Sequence, residues 1–157
     1  MAETPAHLAE RLRAEGEKTQ EFFRALSPGQ WEQIVYTDVS IWSVRTVLSH
    51  FVATEASITR LMENILGGGS GSPENFDINL YNERKVSQLR DSSAEELLQH
   101  FHELRIANVN LVAQMGPEDL SRTGRHPFLG LTNLEEIIKL LYRHLQIHQR
   151  DIRRALI

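Results

Sequence analysis

The chain has 157 residues, 41% of them hydrophobic and 24% charged, with 17 Lys and Arg against 21 Asp and Glu. A chain of this length closes a core without a disulfide or a structural metal, and an ordinary charge content excludes wholesale disorder. The net charge of −4 leaves no basic footprint, so neither nucleic acid nor an anionic membrane is expected as a partner.

Cysteine is absent, which removes disulfide frameworks, zinc ribbons and thiolate nucleophiles together. The N-terminal stretch MAETPAHLAERLRAEGEK lacks the apolar segment of a secretory signal. No apolar run approaches the ~20 residues of a membrane span. The expectation is one cytoplasmic domain over residues 1–157.

Helical periodicity runs through most of the chain. A first helix is expected from Pro5 to Leu26, with Thr4 as N-cap and Pro5 at the first helical position. Leu8, Leu12, Phe22, Phe23 and Leu26 recur at spacings of three and four, which marks one face. SPGQ at 27–30 breaks it, and IVYTDV at 34–39 reads as loop. A second helix, capped by Ser40, runs from Trp42 to Leu66, where GGGSGSP at 67–73 stops it. A long loop to about Arg90 follows, with room for a short helix at NERKVSQL. Loops of that length inside compact domains are usually functional or mobile.

The third helix begins at Ser92 or Ser93, where Ser92 and Glu95 read as a capping box, and closes at Gly116 and Pro117. A loop leads to the fourth, whose capping box is Thr132 with Glu135 and which continues to about Leu156. Four amphipathic helices define an all-α protein, a four-helix bundle.

Seven histidines are the informative feature. In HLQIH, His148 falls in the middle of the last helix's apolar stripe and His144 on its flank, one turn apart. That spacing lets two imidazoles of one helix reach a single ion. His50, at one edge of the second helix's stripe, is the best third ligand. Three neutral imidazoles with an open position suit a catalytic zinc or nickel ion rather than a closed structural one. The competing reading is a set of hydrogen-bonded core histidines with no metal. His100 and His102 point to different faces, and His7 and His126 are given no ligand role, although His126 is within reach of a pocket mouth.

Glu55, Arg105 and Asn108 also sit on apolar stripes. Unpaired buried charge is rarely tolerated, so a Glu55–Arg105 ion pair across the helices is expected. Glu55 or Asn108 is also a candidate partner of a metal-bound imidazole. Asn79, Asn82 and Arg84 in the long loop are candidate substrate contacts. Phosphate-cradling loops, G-x-S-x-G and H-E-x-x-H are all missing, as is the Glu plus Glu-x-x-His pattern of di-iron bundles.

Four stretches in order resemble the DinB-like superfamily, which includes the mycothiol-dependent maleylpyruvate isomerase N-terminal domain and the bacillithiol transferases. They are LSPGQWEQ (26–33), WSVRTVLSHFVATE (42–55), DINLYNERKV (77–86) and HPFLGLTNLEEIIKLLYRHLQIHQRDI (126–152). The resemblance implies an up-down-down-up bundle, often a homodimer, with a divalent metal on His50, His144 and His148. It also implies thiol chemistry, with a low-molecular-weight thiol as co-substrate and a small electrophile as substrate. The function read from this is a metal-dependent S-transferase or hydrolase. A non-catalytic metal-binding, stress-response or interaction bundle is the alternative.

Overall fold

The computed structural model describes residues 2–157. Among them are six α-helices and two short hairpins. The first helix, α1, spans Pro5–Arg24, with the Thr4 hydroxyl accepting from the His7 amide at 3.1 Å. SPGQ is itself one helical turn, α2 (Pro28–Trp31), closed by a reciprocal Ser27–Gln30 capping box.

The segment expected as loop at 34–39 holds a strand instead: β1 (Ile34–Tyr36) pairs antiparallel with β2 (Trp42–Ser43). The second long helix, α3 (Val44–Leu66), therefore starts later than expected and is capped by Ser43, not Ser40. Within the long loop, α4 (Ile78–Gln88) begins at the Asp77 cap, four residues ahead of the expected short helix. Helix α5 (Ala94–Ala113) takes Ser93 as its cap rather than Ser92.

A 3-10 turn then leads into a second hairpin, β3 (Thr123–His126) and β4 (Gly130–Asn133), in a stretch expected to be loop. Gly130, at φ +75°, supplies the left-handed residue that begins β4 after the turn. The final helix, α6 (Leu134–Ala155), is capped by Asn133 rather than Thr132.

Helix α1 packs on α5 and α6, and α3 packs on the same two. Buried apolar side chains fall into two clusters. One gathers Leu8, Leu12, Ile58, Met62, Val112 and Leu141 with their neighbours. The other gathers Phe23, Val47, Phe51, Phe101, Leu145 and Ile152 with theirs.

Between them in sequence, on α3 and α5, lie Glu55, Arg105 and Asn108, each at most 2% exposed. The Arg105 guanidinium donates to both Glu55 carboxylate oxygens (3.0 and 2.6 Å), to the Leu12 carbonyl and to the Leu141 carbonyl (both 3.0 Å). One side chain from α5 thus bonds to α1, α3 and α6, and the expected ion pair is present. Gly16 of α1 leaves room for it: a Cβ there would stand 2.8 Å from Arg105 Cγ.

Among the described residues, no helix is long and apolar enough to cross a membrane.

Candidate metal centre

Helix α3 delivers His50, and α6 delivers His144 and His148 on one face. Nε2 of His144 lies 3.2 Å from Nε2 of His50 and 2.9 Å from Nε2 of His148. Among the described residues these three form a group able to hold a metal ion. Ligands at ~2.0–2.1 Å from one ion stand roughly 2.9 Å apart in octahedral and about 3.3 Å apart in tetrahedral coordination. The observed separations match that range, so the donor set fits a divalent cation.

The electrostatics favour the ligating form. Burial, then the neighbouring imidazoles, holds His50 well below its ordinary pKa. Burial, then His148 and His126, lowers His144 to about 3. His148 is also lowered by burial, against the opposing pull of Asp151. All three rings are neutral at pH 7, as coordination requires.

The tautomer of His148 follows from its neighbours. Tyr36 Oη donates its one proton to Asp151 Oδ2 at 2.5 Å. It can therefore only accept from His148 Nδ1, 2.7 Å away. With the proton on Nδ1, the Nε2 lone pair faces the cluster. Burial and Asp151 raise the Tyr36 pKa far above its usual value, which keeps that proton in place. Among the described residues, the Nδ1 atoms of His50 and His144 are buried without a partner. Trp42 lies against His50, ring centroids 5.1 Å apart, and Phe51 lies 5.7 Å from His148.

His50 and His144 open onto a cavity of about 650 Å³. Its walls include Thr54 and Ile58 of α3, Asn79 and Asn82 of α4, and His126 and Phe128 of the second hairpin. A smaller recess of about 280 Å³ reaches all three histidines beside Tyr36, Trp42 and Glu83.

Of the candidate substrate contacts, Asn79 and Asn82 line both spaces, whereas Arg84 is exposed and lines neither. Glu55, Arg105 and Asn108 stand apart from the imidazoles. Asn108 donates to Glu55 Oε2 at 2.9 Å and its Oδ1 accepts from Thr59 at 2.6 Å. Among the described residues none of the three bonds to a histidine, so they clamp helices together rather than orient a ligand.

Sequence reasoning missed Tyr36 and Asp151. Asp151 carried a signal, one turn beyond His148 on α6. Tyr36 carried none, since its strand read as loop.

The model of the DinB superfamily matches residues 4–152, and the chain belongs to that family. No curated protein matches the chain in sequence. Among solved structures, an uncharacterised protein from Escherichia coli UTI89 superposes with a TM-score of 0.76 at 15% identity, over 99% of this chain and 94% of its own. An uncharacterised protein from Clostridium difficile 630 gives 0.70 at 14%, over 98% and 96%.

The colibactin self-resistance protein ClbS, solved in complex with a dsDNA, gives 0.73 at 13%, over 99% and 97%. That complex corrects the exclusion of nucleic acid drawn from net charge. A total of −4 sums over the whole surface and says nothing about a local patch.

Proposed function

We propose that the chain is a metal-dependent enzyme that holds a divalent cation, zinc or nickel, on Nε2 of His50, His144 and His148. It acts as a thiol S-transferase or hydrolase on a small electrophile. The observation that carries this reading is the convergence of three neutral imidazole nitrogens, two of whose residues, His50 and His144, line a cavity of about 650 Å³.

A cation with an open position lowers the pKa of a bound thiol or water and so supplies a nucleophile at neutral pH. The chain's own residues do the rest. Tyr36 and Asp151 hold His148 in its ligating tautomer, the mostly apolar walls take the body of the substrate, and Asn79 and Asn82 offer polar contacts to it. Because the chain has no cysteine, the thiol is a low-molecular-weight co-substrate, and the setting this chemistry needs is a reducing, cytoplasmic compartment.

Residues 1–157 form one domain in this reading, an up-down-down-up four-helix bundle. The two apolar clusters support that topology. Helices α1 and α6 enter the Leu12–Leu141 cluster first, whereas α3 and α5 enter the Phe51–Phe101 cluster first.

The test is metal analysis of protein purified without a histidine tag. About one equivalent is expected for a three-histidine site, and it is lost in His148→Ala. Less than about half an equivalent would overturn the metal reading. A screen of low-molecular-weight thiols with electrophiles follows. Turnover abolished in His144→Ala, with the helical circular dichroism intact, would exclude a non-catalytic metal-binding bundle.

A second reading, contact with double-stranded DNA, takes its support from the ClbS complex. Anisotropy of a labelled duplex over a salt series tests it, because phosphate contacts weaken steeply with salt. An unchanged anisotropy at low salt would remove it.

A further inference from the structure

His126 closes β3 with only 7% of its surface exposed. Its Nδ1 accepts from the Phe128 amide at 3.0 Å and from the Leu129 amide at 3.1 Å. A nitrogen that accepts two N–H groups carries no proton, so the neutral ring carries its proton on Nε2. Among the described residues that Nε2 meets no acceptor. It is not fully buried either, and His126 lines the cavity shared with His50 and His144. Burial lowers the His126 pKa to about 4, so at neutral pH the ring is an N–H donor and not a cation.

The donor is also held in place. Arg125, its neighbour, donates to the Ser70 carbonyl at 2.9 Å and accepts from the Ser72 amide at 2.8 Å. Gly71, between those two, has φ +88°, and a Cβ there would stand 2.4 Å from the Arg125 amide nitrogen. The loop after α3 and the hairpin are therefore stitched backbone to backbone. A fixed donor without an acceptor, in a cavity with mostly apolar walls, is the arrangement that stabilises charge developing on a ligand oxygen.

We propose that His126 Nε2–H is the oxyanion donor of this pocket, and that the substrate class is an apolar-bodied electrophile activated by a carbonyl group. The inference rests on the enzyme reading above and names its substrate. A thiolate or hydroxide adds to the carbon conjugated to the carbonyl, forming one bond. The C=C pair moves into conjugation, and the C=O pair moves onto oxygen. That oxyanion takes the hydrogen bond from His126 with no proton transfer. The enolate carbon then takes a proton from solvent water, leaving hydroxide, and His126 ends as it began.

The test uses metal-free protein in chelator, with 4-phenyl-3-buten-2-one as the conjugated ketone and 4-phenyl-1-butene as its counterpart without an acceptor. His126→Asn keeps an oxygen where Nδ1 accepts from Phe128 and Leu129, but its shorter amide N–H groups do not reach the position of Nε2. His126→Gln keeps a donor near the ring tip and gives up the acceptor. The ketone is expected to bind wild type about 10-fold more tightly than His126→Asn. Its carbonyl stretch shifts to lower wavenumber in wild type, not in His126→Asn, and in part in His126→Gln. The alkene binds all three alike. Long-range 1H–15N spectra show the proton of His126 on Nε2. Equal ketone affinity and an unmoved carbonyl band in wild type and His126→Asn would overturn the proposal, as would a proton on Nδ1. A protein that binds no metal yet shows the band shift leaves His126 standing and fails the enzyme reading. A protein that binds metal but shows no shift once stripped of it does the reverse.

Discussion

Replacing Arg105 with Met tests the polar layer between the two apolar clusters. The guanidinium makes four hydrogen bonds, to Glu55 twice and to the carbonyls of Leu12 and Leu141. Its removal leaves the Glu55 carboxylate, 0% exposed, with Asn108 as its one side-chain donor among the described residues. Removing one partner of a buried ion pair costs about 3–5 kcal/mol, because the other charge stays in the interior unpaired. That is a large part of a total stability of roughly 5–15 kcal/mol. In urea, with a slope of about 2 kcal/mol per molar, the midpoint falls by about 2 M. On heating, the transition falls by roughly 8–16 °C for a chain of this size. The companion variant is Glu55→Leu with Arg105→Met. With both charges gone, the layer becomes apolar, and stability returns to within about 1 kcal/mol of wild type. The residual loss is the Asn108 amide, which keeps its bond to the Glu55 backbone carbonyl. Urea unfolding read by circular dichroism gives both numbers. An Arg105→Met loss below about 1 kcal/mol, or a double variant as unstable as the sum of its single changes, refutes the reasoning. Metal content serves as the control, since none of the three network residues bonds to an imidazole.

Three further outcomes follow from the same geometry. Gly16→Ala gains about 1 kcal/mol of helix propensity. Its Cβ, however, meets Arg105 Cγ at 2.8 Å, on a stem that four hydrogen bonds hold still. A net loss of about 1–2 kcal/mol in urea is expected, and a stabilised protein would show that the stem can retreat. Tyr36→Phe deprives His148 Nδ1–H of its acceptor, so metal affinity measured against a chromophoric chelator falls about 10–100-fold; an unchanged constant removes Tyr36 from the centre. Acid destabilises the metal-free protein in a defined window. The unfolded chain takes up histidine protons below about 6.5, while folded His126 and His144 resist down to about 4 and about 3. Stability is therefore full above pH 6.5 and falls as the pH drops toward 4. By pH 5 each histidine costs up to about 2 kcal/mol, and less for His126 on its open cavity. Urea midpoints that do not change between pH 7.5 and 5 would contradict this.

The four long helices and the pairing of Glu55 with Arg105 were legible because both rest on one rule: which side chains share a helix face. The caps were legible only to within a few residues. Ser92 and Ser93 each have a glutamate three positions on, and so do Thr132 and Asn133. The structure chooses the second of each pair, and at Asn133 the choice follows from β4 running right up to the helix. Strands of two to four residues show too few alternations to declare a period, so β1 and the second hairpin were read as loop and β2 as the start of a helix. The same blindness hid Tyr36 and left His126 at the edge of view. Tyr36 meets His148 from 112 positions away, and His126 owes its fixed tautomer to backbone amides that only the folded turn supplies.

No residue of helix α4 is buried, yet Asn79, Tyr81 and Asn82 form part of the cavity wall. Polar contacts hold it at two points: Tyr81 against Ser57 and Arg60, and Glu83 against Ser40 and Trp42. The α4 wall of the cavity is thus separate from the core, whereas Ile58 of the α3 wall belongs to both. Changes along α4 can alter which molecules fit at little thermodynamic cost. Substitutions along α4 are therefore free to reshape the cavity while the helices that carry His50, His144 and His148 stay the same.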